Sequence, residues 1–312
     1  MTAKETRREK IIIDTDPGID DALALLLLLQ APEVEVLAVT TVAGNKDLQT
    51  VNDNAATILA QVESTVPLYS GAAAPLAREL VTGQVMGESG LGNVERITGI
   101  ELDGQAVTKI IELVLANPGE VSLLAIGPLT NVALALKQEP ELAQKLKQLV
   151  IMGGAIEAPG NKSRVAEFNF FVDPEAAQIV LQADCRKVLV TLDRCYEVPL
   201  FEADLAQLAG SRLEGFIRGM MTPYVKNLAR FEGQPGAIVY DALAAYYLLD
   251  PGLYALEGLD IVVETRGEYT SGMCVVERRA NKVPKPNVEF VKGVDIERFK
   301  EGLLGRVRGD KT

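Results

Sequence analysis

The stretch DTDPGIDD sets four aspartates, Asp14, Asp16, Asp20 and Asp21, within eight residues. Carboxylates that close raise one another's pKa and cost free energy, so something must offset the repulsion. One of them could cap a following helix, because a side-chain oxygen there accepts orphan amide hydrogens and the helix dipole favours an acid. A cap uses one or two acids, not four. With a fifth acid, Asp241, far along the chain, the set points to a cation. Hard cations such as Ca²⁺ and Mg²⁺ take carboxylates, carbonyls and waters. The chain has no histidine, and its three cysteines, Cys185, Cys195 and Cys274, are scattered. That speaks against zinc, and a large oxygen-rich site leans towards Ca²⁺. Without histidine there is also no Ser-His-Asp triad and no imidazole acid or base.

The elements that must position these acids show as apolar runs alternating with helical patterns. Strands are expected at residues 10–13, 34–42, 121–126, 149–152, 187–192 and 260–264. Helices are expected at 20–30, 47–61, 105–116, 131–138, 174–182 and 240–249. Continuous apolar runs suit strands buried on both faces. The predicted fold class is therefore α/β: a single-domain, Rossmann-like, mainly parallel sheet with helices on both faces. The whole chain, 1–312, is expected to form that one domain, with residues 1–9 as a flexible tail. Residues 200–236 give the weakest pattern and read as helices plus a loop that could act as a lid. In open α/β sheets ligands bind outside the carboxyl ends of the strands. The polar residues just after the runs therefore converge on one rim, a set rich in carboxylates and amides and poor in nucleophiles.

A net charge of −12 argues against nucleic acid or an anionic membrane as partner. The odd, scattered cysteines are no disulfide framework, so a reducing, cytoplasmic setting is expected. No signal-peptide core follows the charged start MTAKETRREK, and the apolar run 22–29 is far too short to span a bilayer.

DTDPGIDD resembles the signature of the inosine-uridine nucleoside hydrolase family, ribohydrolases that cleave N-glycosidic bonds. So do TTVAGN at 40–45, GESGLG at 87–92, GPLTN at 127–131, MGG at 152–154, VAEFNFFVDPEAA at 165–177 and the aspartate of VYDALA at 239–244. The match runs in order over nearly the whole chain. The resemblance implies a ribonucleoside substrate, bound Ca²⁺ and a homodimer or homotetramer. It implies that Asp16, Asp21 and Asp241 bind Ca²⁺, with the backbone carbonyl of Ile126 as a further ligand. Asp16 would also be the general base for the attacking water. Asp20, Asn161, Glu167 and Asn169 would hydrogen-bond the ribose hydroxyls, and Asn45 would lie at the metal–sugar end. Met152 and Phe168 would line the apolar side of the ribose, and Asp14 would support the ligands from behind. The residue chemistry agrees, since carboxylates and amide oxygens stabilise an oxocarbenium-like sugar. Asn131 reads as a loop support or helix cap outside the site.

The base end departs from the family. Inosine-uridine enzymes carry a histidine just before the late calcium aspartate, where this chain has Tyr240. Another family histidine lies near GESG, where this chain has Gln84 and Met86. The purine-specific type stacks the base between tryptophans, and this chain has none. Tyr240 could donate its phenolic proton, with Tyr224 as an additional candidate, or could only stack or pack. The expectation is an atypical base preference, towards bases that leave without strong protonation. Two other functions stay open. One is a Ca²⁺-dependent nucleoside or ribose binder that has lost catalysis. The other is a phosphatase of the haloacid dehalogenase type, in which Asp14 would be the nucleophile and Asp16 the acid/base.

Overall fold

Three consecutive isoleucines, Ile11 to Ile13, are wholly buried. β-Branched side chains favour extended backbone, and burial on both faces needs a strand with neighbours on each side. The computed structural model describes residues 8–309. It begins with β1 (Glu9–Thr15), α1 (Ile19–Leu29), β2 (Val34–Thr41), α2 (Leu48–Gln61), β3 (Leu68–Ser70) and α3 (Ala106–Ala116). Next come β4 (Val121–Ala125), α4 (Thr130–Gln138), α5 (Leu142–Lys145), β5 (Gln148–Met152), α6 (Phe168–Val172), α7 (Pro174–Gln182), β6 (Lys187–Val190) and α8 (Leu192–Cys195). The remainder holds β7 (Pro199–Leu200), α9 (Glu202–Leu205), α10 (Glu214–Phe231), β8 (Ala237–Ile238) and α11 (Tyr240–Tyr247). It ends with β9 (Tyr254–Leu259), β10 (Ile261–Val263), β11 (Cys274–Val276), β12 (Val288–Val294) and α12 (Ile296–Val307).

The main sheet has eight strands in the order β3-β2-β1-β4-β5-β6-β12-β9. All neighbours are parallel except β12 with β9. The first six follow the 3-2-1-4-5-6 order of a doubly wound sheet, whose direction of winding reverses between β1 and β4. Two apolar clusters flank the sheet, one built around α1, α10, α11 and α12 and the other around α3, α4 and α7. The fold is thus the expected α/β class. α1 is buried along ten of its eleven residues, which suits a helix apolar all round, and it packs against α11.

Four expectations change. The run 260–264 does not join the main sheet, because β10 pairs only with β11 in an antiparallel hairpin. The strand at 187–192 stops at Val190 and a short helix follows. β12 and β9 complete the sheet although neither shows a continuous apolar run; β12, VEFVKGV, is only half-buried and reads as an edge-like mixture. The tail expected over 1–9 ends sooner, since Glu9 opens β1. The rest of that tail, residues 1–7, lies outside the described residues.

The segment 200–236 is mostly α10, an 18-residue helix with Pro223 inside it. Proline has no N–H, so the carbonyl four residues earlier loses its helical donor. That carbonyl, of Gly219, accepts instead from the Asn93 N–H at 3.1 Å. The Asn227 amide donates to the Val85 carbonyl at 2.8 Å. The loop around 83–94 and α10 are thereby joined. Among the described residues, no helix is long and apolar enough to cross a membrane.

Candidate active site

The reversal point between β1 and β4 leaves a crevice at the carboxyl ends of the strands. Asp14 is the penultimate residue of β1 and pairs with Thr40 on β2 and Ala125 on β4. Its Oδ1 accepts from the Thr40 hydroxyl at 2.6 Å and from the Asn131 amide at 2.7 Å. Asn131 also donates to the Thr41 carbonyl at 2.9 Å and accepts from the Ala72 N–H at 2.9 Å. It therefore anchors Asp14 and two loops, a larger role than a cap. Burial pushes the Asp14 carboxyl up to about 6 against these two hydrogen bonds. Asp14 is fully buried and does not line the cavity described below, which leaves it without access to a phosphomonoester there.

Asp16 follows, and its Oδ2 accepts from the Asn45 N–H at 2.6 Å. Two glycines close on this carboxylate. A Cβ at Gly44 would lie 2.2 Å from Oδ2, and one at Gly127 would lie 2.9 Å from Oδ1. Asp20 and Asp21 sit in the first turn of α1, and Asp241 sits in the first turn of α11. Both helix N-termini carry a partial positive charge that favours these acids. Asp21 is tied back by the Gly18 N–H at 2.9 Å, the Thr15 hydroxyl and the Asn45 amide at 3.3 Å.

Carboxylate oxygens of Asp20, Asp21 and Asp241 lie within 4.8 Å of one another, a spacing that could hold a metal ion. The sequence-derived ligand set had Asp16 where this trio has Asp20. Asp16 stands beside the trio, drawn towards Asn45, and still feels the charges of Asp21 and Asp20. Burial first, and mutual repulsion second, raise the Asp16, Asp20 and Asp241 carboxyls well above the usual range. Asp241 lies against Asp20 and Asp21, and their like charges add to burial in raising its carboxyl. Three buried aspartate oxygens, Asp14 Oδ2, Asp16 Oδ1 and Asp20 Oδ1, have no hydrogen-bond partner.

Above the acids lies a cavity of about 280 Å³. Asp20, Asn45, Ile126, Met152, Asn161, Glu167, Phe168, Asn169, Tyr224, Tyr240 and Asp241 all line it, so nearly every residue singled out from sequence converges there. Asp14, Asp16 and Asp21 are buried and do not line it. Several of the lining residues are already engaged. Glu167 caps α6, and its carboxylate accepts from the N–H groups of Asn169 at 2.7 Å, Phe170 at 3.1 Å and Gly154 at 2.9 Å. Burial nonetheless raises it to about 7. The Asn169 amide donates to the carbonyls of Ile126 at 2.9 Å and Met152 at 3.2 Å. A carbonyl has two lone pairs, so Ile126 keeps one for a cation. Asn161 Oδ1 accepts from the Phe168 N–H at 3.0 Å.

The cavity lining also includes Tyr224, Tyr240, Phe231 and Met86 with Gln84, Lys162 and Glu232. The Tyr224 hydroxyl donates to the Ile238 carbonyl at 2.9 Å, and that of Tyr240 donates to Glu232 Oε2 at 2.7 Å. Burial pushes both phenols well above the usual tyrosine range. Glu232 was not foreseen. It follows the last residue of α10 in the segment with the weakest pattern, and no motif separates it from a solvated surface acid.

The model of the inosine-uridine preferring nucleoside hydrolase family matches residues 11–301. The chain is 35% identical over 300 residues to an inosine-uridine preferring nucleoside hydrolase of Leishmania major, covering 93% of this chain and 94% of that protein. It is also 35% identical over 305 residues to a pyrimidine-specific ribonucleoside hydrolase of Salmonella gallinarum, covering 96% and 98%. A solved purine-preferring ribonucleoside hydrolase from Gardnerella vaginalis superposes with a TM-score of 0.89 at 27% identity, covering 96% and 98%.

Proposed function

The chain belongs to the inosine-uridine preferring nucleoside hydrolase family and is an enzyme of the N-glycosidic bond; from that premise we propose that it hydrolyses ribonucleosides to free base and ribose with bound Ca²⁺. The observation that carries this reading is the buried, oxygen-only acid cluster under the cavity. Its orphaned oxygens, Asp16 Oδ1 and Asp20 Oδ1, are costly without a cation, and among the described residues no nitrogen or sulfur ligand joins the cluster. The donors fit a hard cation. Asp16, Asp20, Asp21 and Asp241 with the Ile126 carbonyl are the candidates to hold it. When bound, such an ion supplies Lewis acidity to a water molecule and an anchor for vicinal sugar hydroxyls.

The chain's own residues do the rest. Asp16 is the general base, its carboxylate fixed by the Asn45 N–H so that one oxygen stays free for a proton. Asn161, Glu167 and Asn169 present polar groups to the sugar from a wall stiffened by their bonds to backbone. Met152 and Phe168 bound the cavity on the apolar side. As the C1′–N bond breaks, the ring gains positive charge, and the surrounding carboxylates and amide oxygens stabilise it without reorganising. The relatives named above differ in base preference while sharing the family. A common sugar end with a variable base end accounts for that, and this chain's base end has its own composition. A cytoplasmic homodimer or homotetramer remains part of the proposal, supported by the family resemblance; light scattering of the purified protein tests the assembly.

The test is chromatographic detection of free base from inosine, adenosine, guanosine, xanthosine, uridine and cytidine, with Ca²⁺ and after exhaustive chelation. Base release that chelation abolishes and Ca²⁺ restores is expected. Tight nucleoside binding with no base release, in protein of verified calcium content, would replace the hydrolase with a binder.

A further inference from the structure

A nucleobase that leaves as an anion is a poor leaving group, and a positioned acid speeds its departure by about 10²–10⁴. The chain has no histidine to do this. Away from the aspartate cluster, the described residues lining the cavity offer Lys162, Glu167, Tyr224, Glu232 and Tyr240 as proton carriers. Four of these have the following partners. The Lys162 ammonium lies over the Phe168 ring and donates to the Thr82 carbonyl at 3.2 Å. Both oxygens of Glu167 accept backbone N–H groups. Tyr224 spends its hydroxyl hydrogen on the Ile238 carbonyl, and Tyr240 spends its own on Glu232. Both tyrosines are also buried phenols, which makes them weaker acids than a free one.

Glu232 remains. It sits at the C-terminal end of α10, faces the cavity, and receives the Tyr240 hydroxyl at 2.7 Å and the Asn161 side chain. We propose that Glu232 is the general acid of this enzyme, protonating the departing base, and that Tyr240 is the positioning residue that holds the carboxylate left behind. The proposal rests on the N-glycoside hydrolase function argued above. Burial raises the Glu232 carboxyl above the usual glutamate range, so it keeps its proton more readily than a solvated acid.

The balance is simple. The C1′–N bond breaks with its electron pair going to the base. The Glu232 proton is taken up by a base nitrogen. Water adds at C1′ and loses its proton to Asp16. Solvent then reprotonates Glu232 and deprotonates Asp16, so nucleoside and water become base and ribose with no net redox change. An acid at this position removes the reason to expect a preference for bases that leave unprotonated. It points instead to substrates whose base has a basic ring nitrogen.

Two substrates separate an acid from a structural residue: a ribonucleoside the wild type cleaves, and 4-nitrophenyl β-D-ribofuranoside, whose nitrophenolate leaves without a proton. Glu232→Gln is expected to lower kcat/KM on the nucleoside by about 10²–10⁴ while leaving the nitrophenyl riboside rate unchanged. Tyr240→Phe, which removes one hydrogen bond to a charged group, should cost about 10–100-fold on the nucleoside alone. Should the glutamine variant not fold, Glu232→Asp carries the same comparison, because it withdraws the acid by one methylene. Equal loss on both substrates in a folded variant, or no loss on the nucleoside, overturns the role of Glu232 and leaves the hydrolase function standing. Wild-type protein that releases neither base nor nitrophenol overturns both.

Discussion

Gly44→Ala would push a methyl group into the carboxylate on which the proposed chemistry turns. The added Cβ would lie 2.2 Å from Asp16 Oδ2 and 2.8 Å from the Pro128 ring, where ordinary contact begins at 3.4 Å. The carboxylate must therefore retreat by more than an ångström. It has little room, because the residue is 1% exposed and Gly127 also stands close to its other oxygen. Overpacking of this kind costs about 1–3 kcal/mol of stability. Losing the 2.6 Å bond from the Asn45 N–H adds about 1.5–3 kcal/mol, since the acceptor is charged. Displacing a catalytic group by about 1 Å costs on the order of 10²-fold in rate. The expected variant is folded, melts several degrees lower, binds Ca²⁺ more weakly and has kcat/KM down by about 10²-fold or more. Calorimetric titration with Ca²⁺, thermal melts and the base-release assay measure the three effects. Gly305→Ala is the control, because its Cβ would meet open space on α12 and alanine is the better helix former. Turnover and calcium affinity within threefold of wild type for Gly44→Ala would refute the argument that Asp16 works from the position described.

Asn131→Ala removes two donors and an acceptor from a fully buried network, and should cost about 3–5 kcal/mol in urea unfolding, most of it from leaving Asp14 and the Thr41 carbonyl unpaired. A loss below 1 kcal/mol would mean that water fills the gap. Glu167 titrates near 7 in the folded chain against a usual 4.5, so the native state holds its proton more tightly. Its contribution to stability is full below pH 4.5 and falls by up to about 3 kcal/mol as pH rises through 7. Glu167→Gln should therefore gain on wild type by about that amount between pH 4.5 and 8, and a pH-independent difference would contradict the burial argument. Chelation should lower the melting temperature strongly at pH 8 and little at pH 5. The clustered acids repel only when ionised, and saturating ligand at 100 times its Kd stabilises by about 2.7 kcal/mol. Equal shifts at both pH values would count against the cluster as the metal site.

The sugar and metal end was legible in the sequence because its chemistry is local. Asp14, Asp16, Asp20 and Asp21 are crowded into one strand-to-helix turn, and the parallel strands could only present them on one rim. The apolar runs of β1, β4 and β5 are continuous for the same reason: burial on both faces leaves no room for alternation. β9 and β12 were invisible because a strand near the antiparallel edge mixes polar and apolar residues without a clean period. Asn131 was undervalued because its partners, Asp14, Thr41 and Ala72, come from three separate segments. Glu232 could not be found at all. Its meaning comes from Tyr240, eight residues away across a turn, and from Asn161 on another loop. The same acid on an exposed helix end would look identical in sequence.

The proline inside α10 has an effect on the mouth of the cavity. The carbonyl it frees is a fixed address on the helix, and Asn93 docks there. Were the proline one helical turn further along, the address would move by about 5.4 Å. The loop carrying Gln84, Val85 and Met86, which line the cavity, is fastened to the same helix at a second point, where Asn227 holds the Val85 carbonyl. One tie depends on the proline and the other does not, so losing either alone leaves this wall of the cavity pinned to α10 at one end.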